Sequence, residues 1–211
     1  MPATAPPPDT TGWTVVVPVK RLDGAKSRLS TRPAGVRRDL SLAFALDTVA
    51  AALAAPGVTS VHVVTDDELV SAAVRGASAG VVADPSGLND ALRAAETVLR
   101  TAGAGRLAAL AGDLPALRPD QLGRALAAAA AHPRSFLPDA AGTGTTLLCA
   151  QPGVALDPLF GVRSCAAHAA SGAVRLAPAD CPGLRRDVDT EVDLWDATRL
   201  GVGPATASVL R

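Results

Sequence analysis

The stretch Arg106-Leu-Ala-Ala-Leu-Ala-Gly-Asp-Leu-Pro-Ala-Leu117 constrains this chain more than any other. Leu107 to Ala111 is an unbroken apolar run, the pattern of a strand buried on both faces of a parallel sheet. Gly112 breaks the run, Asp113 follows at once, and Pro115 has no N–H with which to continue a ladder. The stretch predicts a parallel strand that ends in a carboxylate. In open α/β sheets, ligands bind at the carboxyl ends of strands. An ionised Asp113 there can hold a hard cation such as Mg²⁺, which takes oxygen ligands and bridges to substrate phosphates. The competing reading makes Asp113 a cap for a helix over Pro119 to Ala131.

The rest of the chain supplies neighbours for such a strand. Trp13 to Pro18 is a β-branched run and the first strand; Val58 to Thr65 and Gly80 to Ala83 read as the second and third. Helix-like stretches, Arg37 to Ala55, Ala91 to Thr101 and Pro119 to Ala131, separate the strands. Alternation of this kind predicts an α/β fold with a doubly wound, mostly parallel sheet and helices on both faces. Further on, Ser135 to Leu137 and Thr146 to Ala150 read as strands, and helices are expected after Phe160 and over Glu191 to Leu200. Met1 to Gly12 is Pro/Thr-rich with no apolar h-region, which predicts a disordered tail rather than a signal peptide, followed by one domain over 13–211. Hydrophobic residues make up 48% of the chain but aromatics only 2%, with no Tyr, so the core must be built from Ala, Val and Leu.

Charge narrows the partners. Lys plus Arg and Asp plus Glu each number 20, a balance that argues against nucleic-acid binding and makes any phosphate recognition local. Cys149, Cys165 and Cys181 form no CxxC pair and read as small buried hydrophobes in a reducing compartment. No apolar run approaches the length of a membrane span, so a cytoplasmic location is expected.

Local candidates for phosphate chemistry follow in chain order. The loop after the first strand carries Lys20, Arg21, Lys26 and Arg28 around Gly24, where α/β proteins grip phosphates. It is neither a Walker A loop nor GxGxxG, and the alternative is a solvated surface loop. His62 reads as a packed or edge residue within the second strand. Asp66-Asp67-Glu68 resembles a metal cluster but reads better as the acidic first turn of a helix. In the turn-rich Asp84 to Asp90, Asn89 or Asp90 serves as an N-cap, or the loop touches a nucleobase or ribose. The Gly/Thr loop Asp139 to Thr146 offers backbone N–H groups and hydroxyls to an anion.

Gly161, Arg163 and Ser164 would open a helix and form an anion site, with His168 on the same helix face as Ser164. Alternatively Ser164 is a simple cap and His168 a surface residue. Asp187 and Asp189 flank Val188 in an extended segment and so share a face, where they repel unless a cation lies between them. Thr190 and Asp193 also match a capping box.

Three aspartates, one basic loop and two anion-binding loops fit phosphoryl or nucleotidyl transfer, in which positioning and charge neutralisation carry most of the catalysis. A phosphate acceptor is already an anionic nucleophile and needs no general base. No Ser–His–Asp or Cys–His set is evident. The rivals are a different nucleotidyltransferase on the same fold and a non-catalytic nucleotide-binding module.

Five segments carry a family resemblance: Pro18-Val-Lys-Arg-Leu-x-x-Ala-Lys-Ser-Arg-Leu29, Gly112-Asp-Leu-Pro115, Gly142-Thr-Gly-Thr145, Phe160-Gly-x-x-Ser164 through His168, and Asp187-Val-Asp-Thr190. In order and spacing they resemble the CofC/FbiD guanylyltransferases of deazaflavin-coenzyme biosynthesis, most closely the actinobacterial phosphoenolpyruvate branch. The resemblance spans the chain after the tail. It implies a Rossmann-like, MobA-like nucleotidyltransferase fold of three layers, with GTP as donor and Mg²⁺ as metal. By position, Asp113, Asp187 and Asp189 would hold the metal, and Lys20, Lys26 and Arg28 would meet the triphosphate. Thr145, Gly161 and Ser164, with His168 beside them, would hold phosphoenolpyruvate or 2-phospho-L-lactate. The product would pass to a transferase acting on the deazaflavin precursor. One departure is Thr146, where an apolar residue is usual. Val19-Lys-Arg-Leu also lacks the Gly-Gly loop of molybdopterin and sugar-phosphate nucleotidyltransferases.

Overall fold

The computed structural model describes residues 12–23, 26–76, 79–82 and 87–211. The tail expected over residues 1–12 and the turn at 84–86 therefore fall almost entirely outside the described residues. The first strand, β1 (Trp13–Pro18), pairs in parallel with β2 (Val58–Val64) on one side and β4 (Arg106–Leu110) on the other. β3 (Gly80–Val82) lies beyond β2, again in parallel. Beyond β4, β6 (Thr145–Ala150) runs antiparallel to both β4 and β5 (Arg134–Pro138). The two-residue β7 (Val174–Arg175) ends the sheet parallel to β5. The order is β3-β2-β1-β4-β6-β5-β7, so the sheet is mostly parallel with β6 reversed.

Side-chain alternation divides the core into two layers around the sheet. Val15 and Val17 of β1 face one way and pack with Leu122 and Leu126 of α4 (Pro119–Ala129) and with Val49 of α1 (Ala34–Leu53). Val70 and Val74 of α2 (Glu68–Gly76) join the same layer. Val16 faces the other way, toward Leu92 and Leu99 of α3 (Leu88–Thr101) and Cys165 of α5 (Ser164–Ala170). The result is the three-layer α/β arrangement that the alternating pattern implies. Phe44 and Phe136 are fully buried amid Ala, Val and Leu, and Cys149, Cys165 and Cys181 are free, buried thiols.

After β3 the chain crosses to the other side of β1 to make β4. Strand order reverses there, which opens a crevice at the carboxyl ends of β1 and β4. Gly112 allows the two ends to approach: a Cβ at this position would stand 2.8 Å from the Pro18 carbonyl oxygen. The loop beyond is fastened to α1, because the buried Thr48 hydroxyl accepts the Leu114 N–H at 3.0 Å. Thr48→Val keeps the shape and leaves that N–H unpartnered, so unfolding free energy should fall by about 1–2 kcal/mol in urea titrations.

Three short elements complete the second half: α6 (Pro182–Arg185), α7 (Glu191–Leu200) and α8 (Pro204–Val209). α7 starts at the Thr190–Asp193 capping box that the sequence predicts. α8 is capped from α1, where the buried Asp47 carboxylate accepts the Ala205 and Thr206 N–H groups at 3.0 and 2.8 Å.

Candidate active site at the ends of β1 and β4

Asp113 stands just past the end of β4 and reaches into the crevice. Its carboxylate accepts from Lys26 Nζ at 2.5 Å, and the same ammonium donates to Asp189 at 3.0 Å. Arg28 lies 3.8 Å from Asp189. The cap alternative for Asp113 fails, because the residue before α4 is Arg118 and no side chain caps that helix. Lys26 takes a left-handed backbone conformation, φ 52°, uncommon for a residue with a Cβ. Lys20 is exposed nearby and helps to hold Asp189 ionised. Arg21 turns elsewhere, 3.7 Å from Asp23 and 3.6 Å from Asp66.

Asp187 and Asp189 reach the crevice because Val188 between them is fully buried, leaving both carboxylates on the opposite side of the extended segment. Val188 N–H donates to the Asp113 carbonyl at 3.1 Å, which locks this segment beside the end of β4. The two carboxylates differ in charge state. Burial pushes Asp189 up, but Lys26, Arg28 and Lys20 outweigh it and hold the group below its ordinary value. Asp187 is pushed up to about 7 by burial first, then by the Asp113 and Asp139 carboxylates, with a smaller push from Asp189. On Lys26, burial is outweighed by Asp113 and Asp189, so the ammonium is held more firmly charged than usual.

Among the described residues no three carboxylate, imidazole or thiol groups gather as a ready-made metal cage. The donor chemistry nevertheless suits a hard divalent cation. Mg²⁺ commonly takes one or two carboxylates and completes its shell with water and substrate phosphates. Burial and the neighbouring carboxylates together raise Asp187, and such a cation would offset the carboxylate repulsion.

That shift has a consequence for stability. The folded protein keeps the Asp187 proton up to about pH 7, whereas the unfolded chain releases it near the ordinary carboxylate value. The unfolded state therefore binds fewer protons across this window, and stability falls as pH rises through it. Thermal melts in chelator should show this decline, and Asp187→Asn should flatten it.

The other side of the crevice is formed by the Gly/Thr loop and the start of α5. Cys165 N–H donates to the Thr143 carbonyl at 3.1 Å and ties them together. The expected backbone anion cradle in the loop is not available. Asp139 already accepts the Thr143 and Gly144 N–H groups at 2.9 and 2.8 Å, and its carbonyl takes Gly142 N–H at 3.2 Å. The Thr145 hydroxyl remains. Thr146, one position on, points into the core, where its buried hydroxyl has no partner among the described residues. An apolar side chain suits that position, and a register shift at the start of β6, which pairs Pro138 with Thr145 and skips Thr146, turns Thr145 toward His168.

Ser164 is the first residue of α5, not its cap; Arg163, left-handed at φ 59°, precedes it. Gly161, at φ 135°, turns the chain into this helix. His168 is not a surface residue. It is fully buried, with Nδ1 2.9 Å from Thr145 Oγ1 and Nε2 accepting Leu159 N–H at 3.0 Å. Its polar partners are the Thr145 hydroxyl and the Leu159 backbone.

Two expectations in the neighbouring loops resolve simply. Asp67 caps α2, accepting Leu69 and Val70 N–H, and also takes Leu22 N–H from the basic loop. Neither Asn89 nor Asp90 caps α3, which starts after Gly87. Asn89 instead clamps Phe160 by two hydrogen bonds, donating to its carbonyl at 2.9 Å and accepting its N–H at 2.8 Å. The sequence reading missed this clamp, as well as the roles of Asp139 and Leu159. Asp139 leaves a trace, an aspartate placed four and five residues before the N–H groups it accepts.

Comparisons with known proteins bear on the family and the fold. The MobA-like NTP transferase domain matches residues 42–156. A phosphoenolpyruvate guanylyltransferase of Streptomyces coelicolor is 56% identical over 201 residues, covering 93% of this chain and 95% of that one. Among solved structures, a putative nucleotide-diphospho-sugar transferase from Desulfovibrio desulfuricans superposes with a TM-score of 0.72 at 16% identity, over 94% of both chains. The manganese complex of Rv0371c from Mycobacterium tuberculosis superposes at 0.54 and 21% identity, over 90% of this chain and 99% of that one. The structural likenesses speak to the fold.

Proposed function

Since this chain belongs to the family of phosphoenolpyruvate guanylyltransferases, built on a MobA-like NTP transferase domain, we propose that it transfers GMP from GTP to the phosphate of phosphoenolpyruvate. The products are enolpyruvyl-diphospho-guanosine and diphosphate. The observation that carries this reading is the convergence of Asp113, Asp189 and Lys26 at the switch point, with Thr145 across the crevice.

The residues divide the work. Lys20, Lys26 and Arg28 take the triphosphate of GTP and neutralise the charge that grows on the leaving diphosphate. Thr145, Gly161 and Ser164 hold the acceptor, whose phosphate oxygen faces the α-phosphorus. A bond forms between that oxygen and the α-phosphorus as the bond to the β-phosphate oxygen breaks. The attacking oxygen is already anionic, so no side chain needs to remove a proton. Asp113, Asp187 and Asp189 would hold Mg²⁺, which supplies Lewis-acid neutralisation of phosphate charge when bound.

Three free, buried cysteines support a reducing, cytoplasmic setting, and no helix among the described residues is long and apolar enough to cross a membrane. The product suits a downstream transferase acting on a deazaflavin precursor. Diphosphate release should be assayed with GTP and Mg²⁺ plus phosphoenolpyruvate, 2-phospho-L-lactate or no acceptor, with the downstream transferase and its precursor present. Release that requires phosphoenolpyruvate is expected. Release only with 2-phospho-L-lactate would change the acceptor, and none with either would turn the reading to another nucleotidyl transfer or to nucleotide binding alone.

A further inference from the structure

We propose that His168 is a positioning residue that presents the Thr145 hydroxyl to the acceptor as a hydrogen-bond donor. The inference deepens the proposed function and rests on Thr145 being an acceptor contact.

His168 Nε2 accepts the Leu159 backbone N–H at 3.0 Å. A ring nitrogen that accepts carries no proton, and a neutral imidazole carries one on the other nitrogen. The ring is neutral: burial first, then Arg134, push its pKa down to about 4, against the opposing effects of Asp157 and the Ser164 backbone. The proton is therefore on Nδ1, which donates to Thr145 Oγ1 at 2.9 Å. A hydroxyl that accepts from His168 turns its own hydrogen away from the ring. No other hydrogen bond of Thr145 Oγ1 is recorded among the described residues, although the residue is only 8% exposed. A nearly buried donor without a protein partner is poised for a ligand oxygen.

The ring is held so that it cannot reverse this order. Phe136 and Phe160 flank it, with centroids 5.8 and 5.2 Å away. Phe160 is itself clamped by Asn89. Leu159, Phe160 and Gly161 are consecutive, so the bond at Nε2 also fixes the segment that carries Gly161. The Thr145 hydroxyl thus meets the acceptor as a donor, which favours a phosphate or carboxylate oxygen over a hydroxyl or ammonium group.

His168→Phe keeps a packed ring and removes both hydrogen bonds; His168→Asn returns an N–H near the position of Nδ1. Steady-state kinetics should show KM for phosphoenolpyruvate raised about 10-fold by His168→Phe, KM for GTP unchanged, and most of the loss recovered by His168→Asn. Thr145→Val should raise the same KM, and adding His168→Phe to it should cost clearly less than His168→Phe costs in the parent, since the Thr145 interaction is already gone and only the bond to Leu159 is left to lose. Equal rises in both KM values, or additive losses in the double variant, would overturn the inference. A long-range proton–nitrogen spectrum of the parent protein is independent of how the variants fold. It should show His168 protonated on Nδ1 at neutral pH, and a proton on Nε2 would also overturn the inference. A parent enzyme that ignores phosphoenolpyruvate sinks the proposed function, and this inference with it, and is recognised before any variant is made.

Discussion

Asp113→Asn is expected to lower turnover by at least about 10³-fold and to leave the melting temperature nearly unchanged. The substitution is isosteric and removes one negative charge from the carboxylate cluster at the end of β4. Without that charge, Lys26 keeps Asp189 as its ionic partner among the described residues, and on the proposed reading a divalent cation would lose a ligand at the end of β4. The fold should tolerate the change. The Asp113 side chain is 28% exposed, and its carbonyl still accepts Val188 N–H at 3.1 Å. Relief of the push on Asp187 should also bring that group back toward the ordinary carboxylate range. Single-turnover rates and melting curves on the same sample test the prediction. A folded Asn variant that retains turnover would remove Asp113 from the catalytic centre.

Gly183→Val should have the largest effect on stability, and it should inactivate the enzyme through backbone movement alone. α6 sits so close to the loop after β4 that a Cβ on Gly183 would lie 2.0 Å from the Ala116 carbonyl oxygen. The neighbouring Leu184 N–H donates to the Gln121 side chain at 3.0 Å, so the helix has little room to slide. Backbone faces backbone here, and no flexible side chain can give way. Overpacking of this kind costs about 3 kcal/mol, or a fall in melting temperature of roughly 2–4 °C per kcal/mol for a chain of this length. The displaced residues lead straight into Asp187 and Asp189. Loss of the Val188–Asp113 backbone bond would pull both carboxylates from the crevice, and turnover should drop by about 10²-fold in the fraction still folded. A Val variant with parental stability would mean that α6 is free to move.

What could be read from the sequence is what local pattern encodes. The apolar run of β4, its Gly-Asp-Leu-Pro ending, and the Asp-Val-Asp triplet all carry their geometry in neighbouring residues. Each aspartate lies where alternation and strand ends put it. The Thr190–Asp193 capping box is local in the same way. The reversed direction of β6 is not, since nothing within Thr145–Ala150 distinguishes an antiparallel strand from a parallel one when both faces are buried. β7 and α6, two and four residues long, are too short to show a period, and α8 gave no signal of its own. Of the site readings that changed, those of Asn89 and His168 depended on distant partners and that of the Gly/Thr loop on a partner within the loop itself. Asn89 looked like a cap and instead clamps Phe160, 71 residues away. The Gly/Thr loop looked like an anion cradle until Asp139 proved to hold its N–H groups. His168 shares a helix face with Ser164 as the spacing implied, but only the folded chain buries that face against Phe136 and Phe160.

The most direct test of guanylyl transfer at this crevice follows one phosphorus atom. The protein is incubated with Mg²⁺, phosphoenolpyruvate and GTP labelled at its α-phosphate or, separately, at its γ-phosphate. The products are then separated. The α-label should appear in a conjugate that also contains the phosphoenolpyruvate phosphate, and the γ-label in diphosphate. Release of the γ-label as inorganic phosphate, or an α-label that stays in GTP, GDP or free GMP, would contradict the account.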